Sequence, residues 1–351
     1  MPLSTLSRRR FLATTGCVAG QALVRPSNGA AVAAPRPALT LACANYVRFM
    51  PIATGDIVPE NLTLTWLRGD RTEMLRRTTD DATIDGGESS MAQHVMRLDR
   101  GDRTLVAIPI FPLRNFTARD LYTRKDARLT AETLGGRRIG IYNWAASGAV
   151  WYRHFLRYLG HDTEKITWVV GGSDGPAEVR LPDPPLPNVS AAPKGSSLSD
   201  LLLAEKIDAL FAPLPPKRFD VTEGAIVRVF PDFRTVEQKY FAATRCYPPQ
   251  HVVLLRRQSW ERDRSAARRL VEAFNKSEAA FEAGQRQFPY NSPWLIQDVE
   301  DAVRVMGSDY HAHGLEKNRH AVDVFCQSAH EDGLTRRRLA VDEFFADFLS
   351  A

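Results

Sequence analysis

Short apolar runs alternate along this chain with longer amphipathic stretches. Residues 39–46 read as a buried strand, and the alternating residues 62–67 as a second. A short helix is expected over 71–79, with Met74 and Leu75 facing inward. Residues 82–85 read as a strand running into Gly86-Gly87-Glu88-Ser89-Ser90, with a helix at 91–99 and a buried strand at 105–111. The pattern then restarts. Strands are expected at 139–142, 166–170 and 207–211, with helices at 147–159 and 198–204 between them. The stretch 175–195 holds six prolines and reads as irregular. A strand at 251–255 follows, and beyond it the pattern is helical: 266–283, 294–306, 318–331 and a short piece near 341–348.

Strands alternating with helices predict an α/β fold, with mostly parallel sheets flanked by helices. Two such blocks predict two lobes. Residues 38–124 and 251–351 would build the first lobe, discontinuously, and residues 125–250 the second. Crossovers are expected near 121–124 and 246–250. The carboxyl ends of the strands in both lobes would face a shared ligand cleft.

The first 34 residues change the charge argument. Ser7-Arg8-Arg9-Arg10-Phe11-Leu12 matches a twin-arginine export pattern, and Ala31-Val32-Ala33 offers small residues to a signal peptidase. The expected location is therefore periplasmic or otherwise extracytoplasmic, with the twin-arginine translocase as a partner during export. The whole chain carries a formal charge of +5. Four arginines and no acid lie within the signal, so the remaining chain falls to about +1, and the charge gives no case for nucleic acid. Cys43, Cys246 and Cys326 have no metal-site spacing; one disulfide or three small buried residues are both open. No later segment is long and apolar enough for a transmembrane helix.

An ordered set of short motifs runs along nearly the whole chain after the signal. It comprises Asn45-Tyr46-Val47-Arg48, Glu88-Ser89-Ser90, Ala107-Ile-Pro-Ile-Phe-Pro112 with Arg114, and Leu134-Gly-Gly-Arg-Arg-Ile-Gly140. Ala149-Val-Trp151, Trp168-Val-Val-Gly-Gly172, Leu198-Ser-Asp-Leu-Leu202 and Ile207-Asp-Ala-Leu-Phe-Ala-Pro213 follow. Phe230-Pro-Asp-Phe233, Gln250-His-Val-Val253 and Gly314-Leu-Glu-Lys-Asn-Arg319 complete it. The set resembles the 4,5-dihydroxyphthalate decarboxylase family. That resemblance implies a two-lobed, type II periplasmic-binding-protein-like fold with the ligand cleft between the lobes. It also implies a cofactor-independent reaction that turns 4,5-dihydroxyphthalate into protocatechuate and carbon dioxide. The turn at Tyr142-Asn-Trp-Ala-Ala-Ser147 and the stretch Asp309-Tyr-His-Ala-His313 depart from the family pattern.

The candidate ligand-binding residues sit at strand ends: Tyr46, Arg48, Glu88, Ser89, Ser90, Arg114, Trp144, Ser147 and His251. Arg48 and Arg114 are candidate carboxylate clamps, because a guanidinium pairs bidentately with a carboxylate. Ser89 or Ser90 can cap the following helix, whose free N–H groups can hold an anion. Trp144 is a candidate stacking surface. His251 is the candidate proton donor and Glu88 an acid, if the chain is an enzyme. His311 and His313 are spaced as zinc ligands can be, but they lie in an expected loop with no partner acid, and neither a metal nor a cofactor is expected. Two readings remain. One is an extracytoplasmic binding protein that presents a small aromatic carboxylate to a membrane transporter, which export favours. The other is the decarboxylase, which needs the same clamps and a positioned proton donor.

Overall fold

The computed structural model describes residues 37–287 and 292–351. The export pattern at residues 1–34 lies outside them. In the first sheet the strand order is β2-β1-β3-β11-β4. β1 (Ala38–Ala44) runs parallel to β2 (Thr63–Gly69) and to β3 (Gly86–Ser90). β4 (Leu105–Ile108) sits at the other edge. Strands β5 (Leu121–Arg124), β6 (Arg138–Ile141), β7 (Thr167–Val170), β8 (Val189–Ala191), β9 (Ala209–Phe211) and β10 (Ile226–Arg228) form the second sheet, in the order β10-β5-β9-β6-β7-β8. The chain then returns to the first sheet as β11 (His251–Arg256), antiparallel to both β3 and β4. Both sheets are mixed: among the described residues the first has two parallel and two antiparallel pairings, the second three parallel and two antiparallel.

Helices cover the faces. A short α1 (Met50–Thr54) precedes α2 (Arg71–Asp80) and α3 (Met91–Asp99), and α4 (Ser147–Tyr158), α5 (Leu198–Leu203) and α6 (Phe233–Thr244) follow. After β11 come α7 (Arg257–Arg262), α8 (Ala266–Gln287), α9 (Leu295–Met306), α10 (Leu315–Glu331), α11 (Val341–Phe344) and α12 (Ala346–Leu349). Among the described residues no helix is long and apolar enough to cross a membrane. Local chemistry fixes the starts of several helices. The Asp70 carboxylate accepts from the N–H groups of Thr72 and Glu73, and Ser197 and Asp232 cap α5 and α6 in the same manner.

Three differences from the sequence reading bear on the site. Residues 82–85 form a turn, and the strand is Gly86–Ser90 itself. The apolar pattern misses it because β3 carries two glycines where its neighbours press closest. A Cβ on Gly87 would lie 2.1 Å from the Ala42 carbonyl oxygen, and one on Gly86 2.1 Å from that of Leu254. Residues 121–124, read as a crossover, are β5, paired with β9 and β10; Leu121, Tyr122 and Thr123 are buried there. The passage between the sheets lies earlier and runs beside the return passage, with Arg114 bridged to Pro249 and the Gln250 N–H donating to the Leu113 carbonyl at 2.8 Å. Finally, the proline-rich stretch contributes β8 as an edge strand, where proline neighbours are tolerated.

The two sheets are also tied by buried charge. Arg153 on α4 pairs with Asp332, just beyond α10, at 2.8 Å, with both side chains 1% exposed. Arg157 reaches the same carboxylate at 2.8 Å.

Candidate functional site

The strand arrangement delivers Glu88 and His251 to the same place. β3 and β11 are antiparallel neighbours, with Val253 opposite Glu88 and Ser90 opposite His251. Side chains alternate between faces, so Glu88 and His251 lie on one face, diagonally offset, within reach of long side chains. The His251 Nδ1 is 2.5 Å from Glu88 Oε1. The Tyr46 hydroxyl donates to that same oxygen at 2.6 Å, and the Ala44 N–H donates to Oε2 at 2.9 Å. The Cys43 thiol approaches Oε2 at 3.3 Å. Glu88 is fully buried.

These partners set the charge state. Burial pushes the Glu88 carboxyl upward, but the hydrogen bond and charge of His251, with the Tyr46 hydroxyl and the Ala44 N–H, outweigh it and hold the group at about 2. Glu88 is therefore an anion at neutral pH. The Tyr46 phenol and the Cys43 thiol are pushed up, first by burial and then by the charge of Glu88, so both keep their protons. The other ring nitrogen of His251, Nε2, has no hydrogen-bond partner among the described residues and is not sealed from solvent. The arrangement is an imidazole anchored by a buried carboxylate, with its second nitrogen left without a protein partner among the described residues.

The starts of α3 and α4 meet. The Ser90 and Ser147 hydroxyls are 2.7 Å apart, and Ser147 Oγ accepts from the Ala92 N–H at 3.0 Å. Ser90 is the N-cap of α3 and accepts from Gln93. Ser89 is buried within β3, opposite Val252.

Three candidates behave differently. Arg48 donates from Nε to Glu278 at 2.7 Å and from Nη2 to the Pro112 carbonyl, so its guanidinium is held by the protein. Arg114 is 8% exposed and donates to Asn318 and to the Tyr247 and Ala312 carbonyls. Trp144 is a core residue rather than a stacking surface for a ligand. Its ring lies edge-on to Trp168 with the Arg153 guanidinium 4.0 Å above it, and its N–H donates to the Asp332 carbonyl. The turn before α4 folds Trp144 inward because Asn143 caps it locally, accepting from the Ala145 N–H at 2.9 Å.

The histidines at 311 and 313 diverge. His313 is buried and accepts from the Phe111 N–H, while His311 packs on Tyr247 and Tyr310. Among the described residues no group of three or more His, Cys, Asp or Glu side chains is placed for a metal. Cys43, Cys246 and Cys326 are free and buried.

The sequence reading missed Arg71. Gly69 pairs with Ala44, so the first residue of α2 stands at the same sheet edge as Tyr46. Arg71 is exposed and joins no ion pair among the described residues. Its charge acts on the phenols of both Tyr46 and Tyr142, which follow β1 and β6 in different sheets; burial, the larger effect, raises both, and Arg71 opposes it. A polar residue opening a helix after a strand is too common a signal to have singled it out.

No family model matches the chain. It is 28% identical over 295 residues to 4,5-dihydroxyphthalate decarboxylase from Comamonas testosteroni, spanning 82% of this chain and 89% of that one. It is 30% identical over 191 residues to 4,5-dihydroxyphthalate decarboxylase from Pseudomonas putida, spanning 53% of this chain and 73% of that one. Among solved structures it is similar to the periplasmic aliphatic sulphonate binding protein SsuA from Escherichia coli. That match has a TM-score of 0.51 at 14% identity and spans 87% of this chain and 91% of that one. The chain belongs to the 4,5-dihydroxyphthalate decarboxylase family, built on the two-lobed fold of type II periplasmic binding proteins.

Proposed function

We propose that the chain is a cofactor-independent decarboxylase acting on a hydroxylated aromatic carboxylate of the 4,5-dihydroxyphthalate type. The observation that carries this reading is the His251–Glu88 pair, with a buried anion on one side of the imidazole and an accessible Nε2 on the other. The ring–carboxylate bond breaks with its electron pair kept on the ring carbon, and carbon dioxide leaves. The proton on His251 Nε2 takes its place on that carbon, giving 3,4-dihydroxybenzoate from 4,5-dihydroxyphthalate. Solvent then restores the proton to the imidazole. Glu88 holds the ring's orientation through Nδ1 and stabilises the charged imidazolium, and Tyr46 fixes Glu88. Arg71, free of a protein acid, supplies the charge that binds the carboxylate not lost.

A second reading is extracytoplasmic binding of the same class of ligand for a membrane transporter. The fold and the Ser90–Ser147 contact across the two sheets favour it. Incubating purified protein with 4,5-dihydroxyphthalate and following 3,4-dihydroxybenzoate by absorbance and chromatography separates the two. Turnover lost in His251→Ala supports the enzyme. Tight binding of the dicarboxylate with no product over hours rejects it and leaves the binding protein.

A further inference from the structure

A polar cavity lies beside the passages that join the two sheets. It encloses about 140 Å³ and is lined by Arg114, Arg245, Tyr247, Tyr310, Lys317 and Asn318, among others. None of the residues lining it belongs to the Tyr46–Glu88–His251 group.

Its charge is unbalanced. Arg114 is buried, yet it forms no ion pair among the described residues, and its Nε is sealed from solvent with no hydrogen-bond partner. Its remaining contacts are neutral: the Asn318 side chain at 2.5 Å and two peptide carbonyls at 3.4 Å. Burial pushes this guanidinium down to about 10, against the opposing pull of Tyr247 and Glu278. Arg245 is exposed at the end of α6 and likewise joins no ion pair among the described residues. Lys317 is balanced by Asp309 at 2.6 Å. His320 is held by the Thr244 carbonyl. Two arginines therefore face the cavity without an ion-pair partner among the described residues, and the acid in its lining, Asp309, is already engaged by Lys317. A buried, unpaired charge is costly unless a partner reaches it. The space admits a small oxyanion.

We propose that this cavity binds a small oxyanion, such as sulfate or phosphate, between Arg114 and Arg245. The position gives the anion a mechanical role. Arg114 and Tyr247 lie on the two passages that join the sheets, Arg245 closes a helix of the second sheet, and Lys317 and Asn318 belong to α10. An anion there cross-links both passages to α10 and stiffens the junction about which the sheets would move.

Titration calorimetry on the intact protein with sodium sulfate and with inorganic phosphate tests the site. Arg245 is the informative position because it is exposed and holds φ 55°, a left-handed conformation that glycine adopts without strain. Arg245→Gly should fold at least as well as the parent in anion-free buffer, yet bind sulfate about tenfold more weakly, the loss expected for one charge-assisted contact. Arg245→Glu should abolish binding. The melting temperature of the parent should rise with sulfate at constant ionic strength, and that of Arg245→Glu should not. No heat with either anion to tens of millimolar overturns the proposal, as does undiminished binding in Arg245→Glu. Competition between sulfate and an aromatic dicarboxylate, with both weakened by Arg245→Gly, also overturns it, because the cavity would then be part of the substrate site.

Discussion

Glu88 Oε1 stands 2.5 Å from His251 Nδ1 although 163 positions of chain separate them. The contact exists because β11 returns antiparallel beside β3 with a register that sets both side chains on one face. The most direct expectation concerns turnover. His251→Ala should lower kcat on 4,5-dihydroxyphthalate on the order of 10²–10⁴-fold, the usual contribution of a positioned proton donor. Affinity for the substrate, measured by calorimetry, should change far less. An equal loss in both would make His251 a binding residue only.

Glu88 leaves a signature in acid. Its carboxyl is held near 2 against 4.5 when free. A depressed acid contributes stability above its free value, and that stability drains away as pH falls through about 4.5 toward 2. Glu88→Gln should lose part of that acid-limb slope in urea unfolding and be less stable at pH 7 by roughly 3 kcal/mol, the cost of breaking a buried pair. An unchanged slope would remove Glu88 as the source.

Two other acids work in the opposite sense. Burial raises Asp120 to about 6 and Glu237 to about 7, with the charge of nearby Arg119 opposing it in both cases. Their free values lie near 4. The folded protein holds extra protons between those limits, so this contribution to stability is full below about 4 and is lost as pH rises toward 7. The double variant Asp120→Asn, Glu237→Gln should flatten the decline, read as urea midpoints at pH 4.5 and 7.5. A parallel decline in parent and variant would contradict it.

The Arg153–Asp332 pair is sealed from solvent. Asp332→Asn removes the anion, keeps the shape, and strands a buried guanidinium. It should destabilise the protein by about 3–5 kcal/mol in chemical denaturation. A loss under 1 kcal/mol would show that water reaches Arg153.

Ser147 offers a milder test of the contact between the sheets. Its hydroxyl serves both Ser90 and the Ala92 N–H. Ser147→Ala should cost about 1 kcal/mol. Small-angle scattering should report a larger radius of gyration if this contact holds the sheets together.

The sequence made the architecture legible wherever side chains carry it. Residues 39–46, an apolar run, and 62–67, an alternating one, correspond to β1 (Ala38–Ala44) and β2 (Thr63–Gly69), shifted by one or two residues at their ends. It concealed β3, the strand holding Glu88, because that strand's neighbours demand glycine where an apolar residue would mark it. The elements β10 and α6 were missed because one is three residues long and the other buries a single side chain, Tyr240. At the site, Glu88, His251, Ser90 and Ser147 could be found from strand ends. Whether an arginine is free or held could not, because Glu278, the partner of Arg48, comes 230 positions later. Arg48 is paired and, among the described residues, Arg71 is not for the same reason: the pairing of a charge is decided by packing between distant segments.

The antiparallel return of β11 has a consequence for biogenesis. Residues 109–250, which include the whole second sheet, must be synthesised before His251 can meet Glu88. Contacts of such long span form late and only with their surroundings in place. The amino-terminal portion, however well its own strands pair, carries a buried carboxylate with no imidazole to answer it. The Glu88–His251 pair is therefore a property of the finished chain, and a molecule cut short before β11 would lack it.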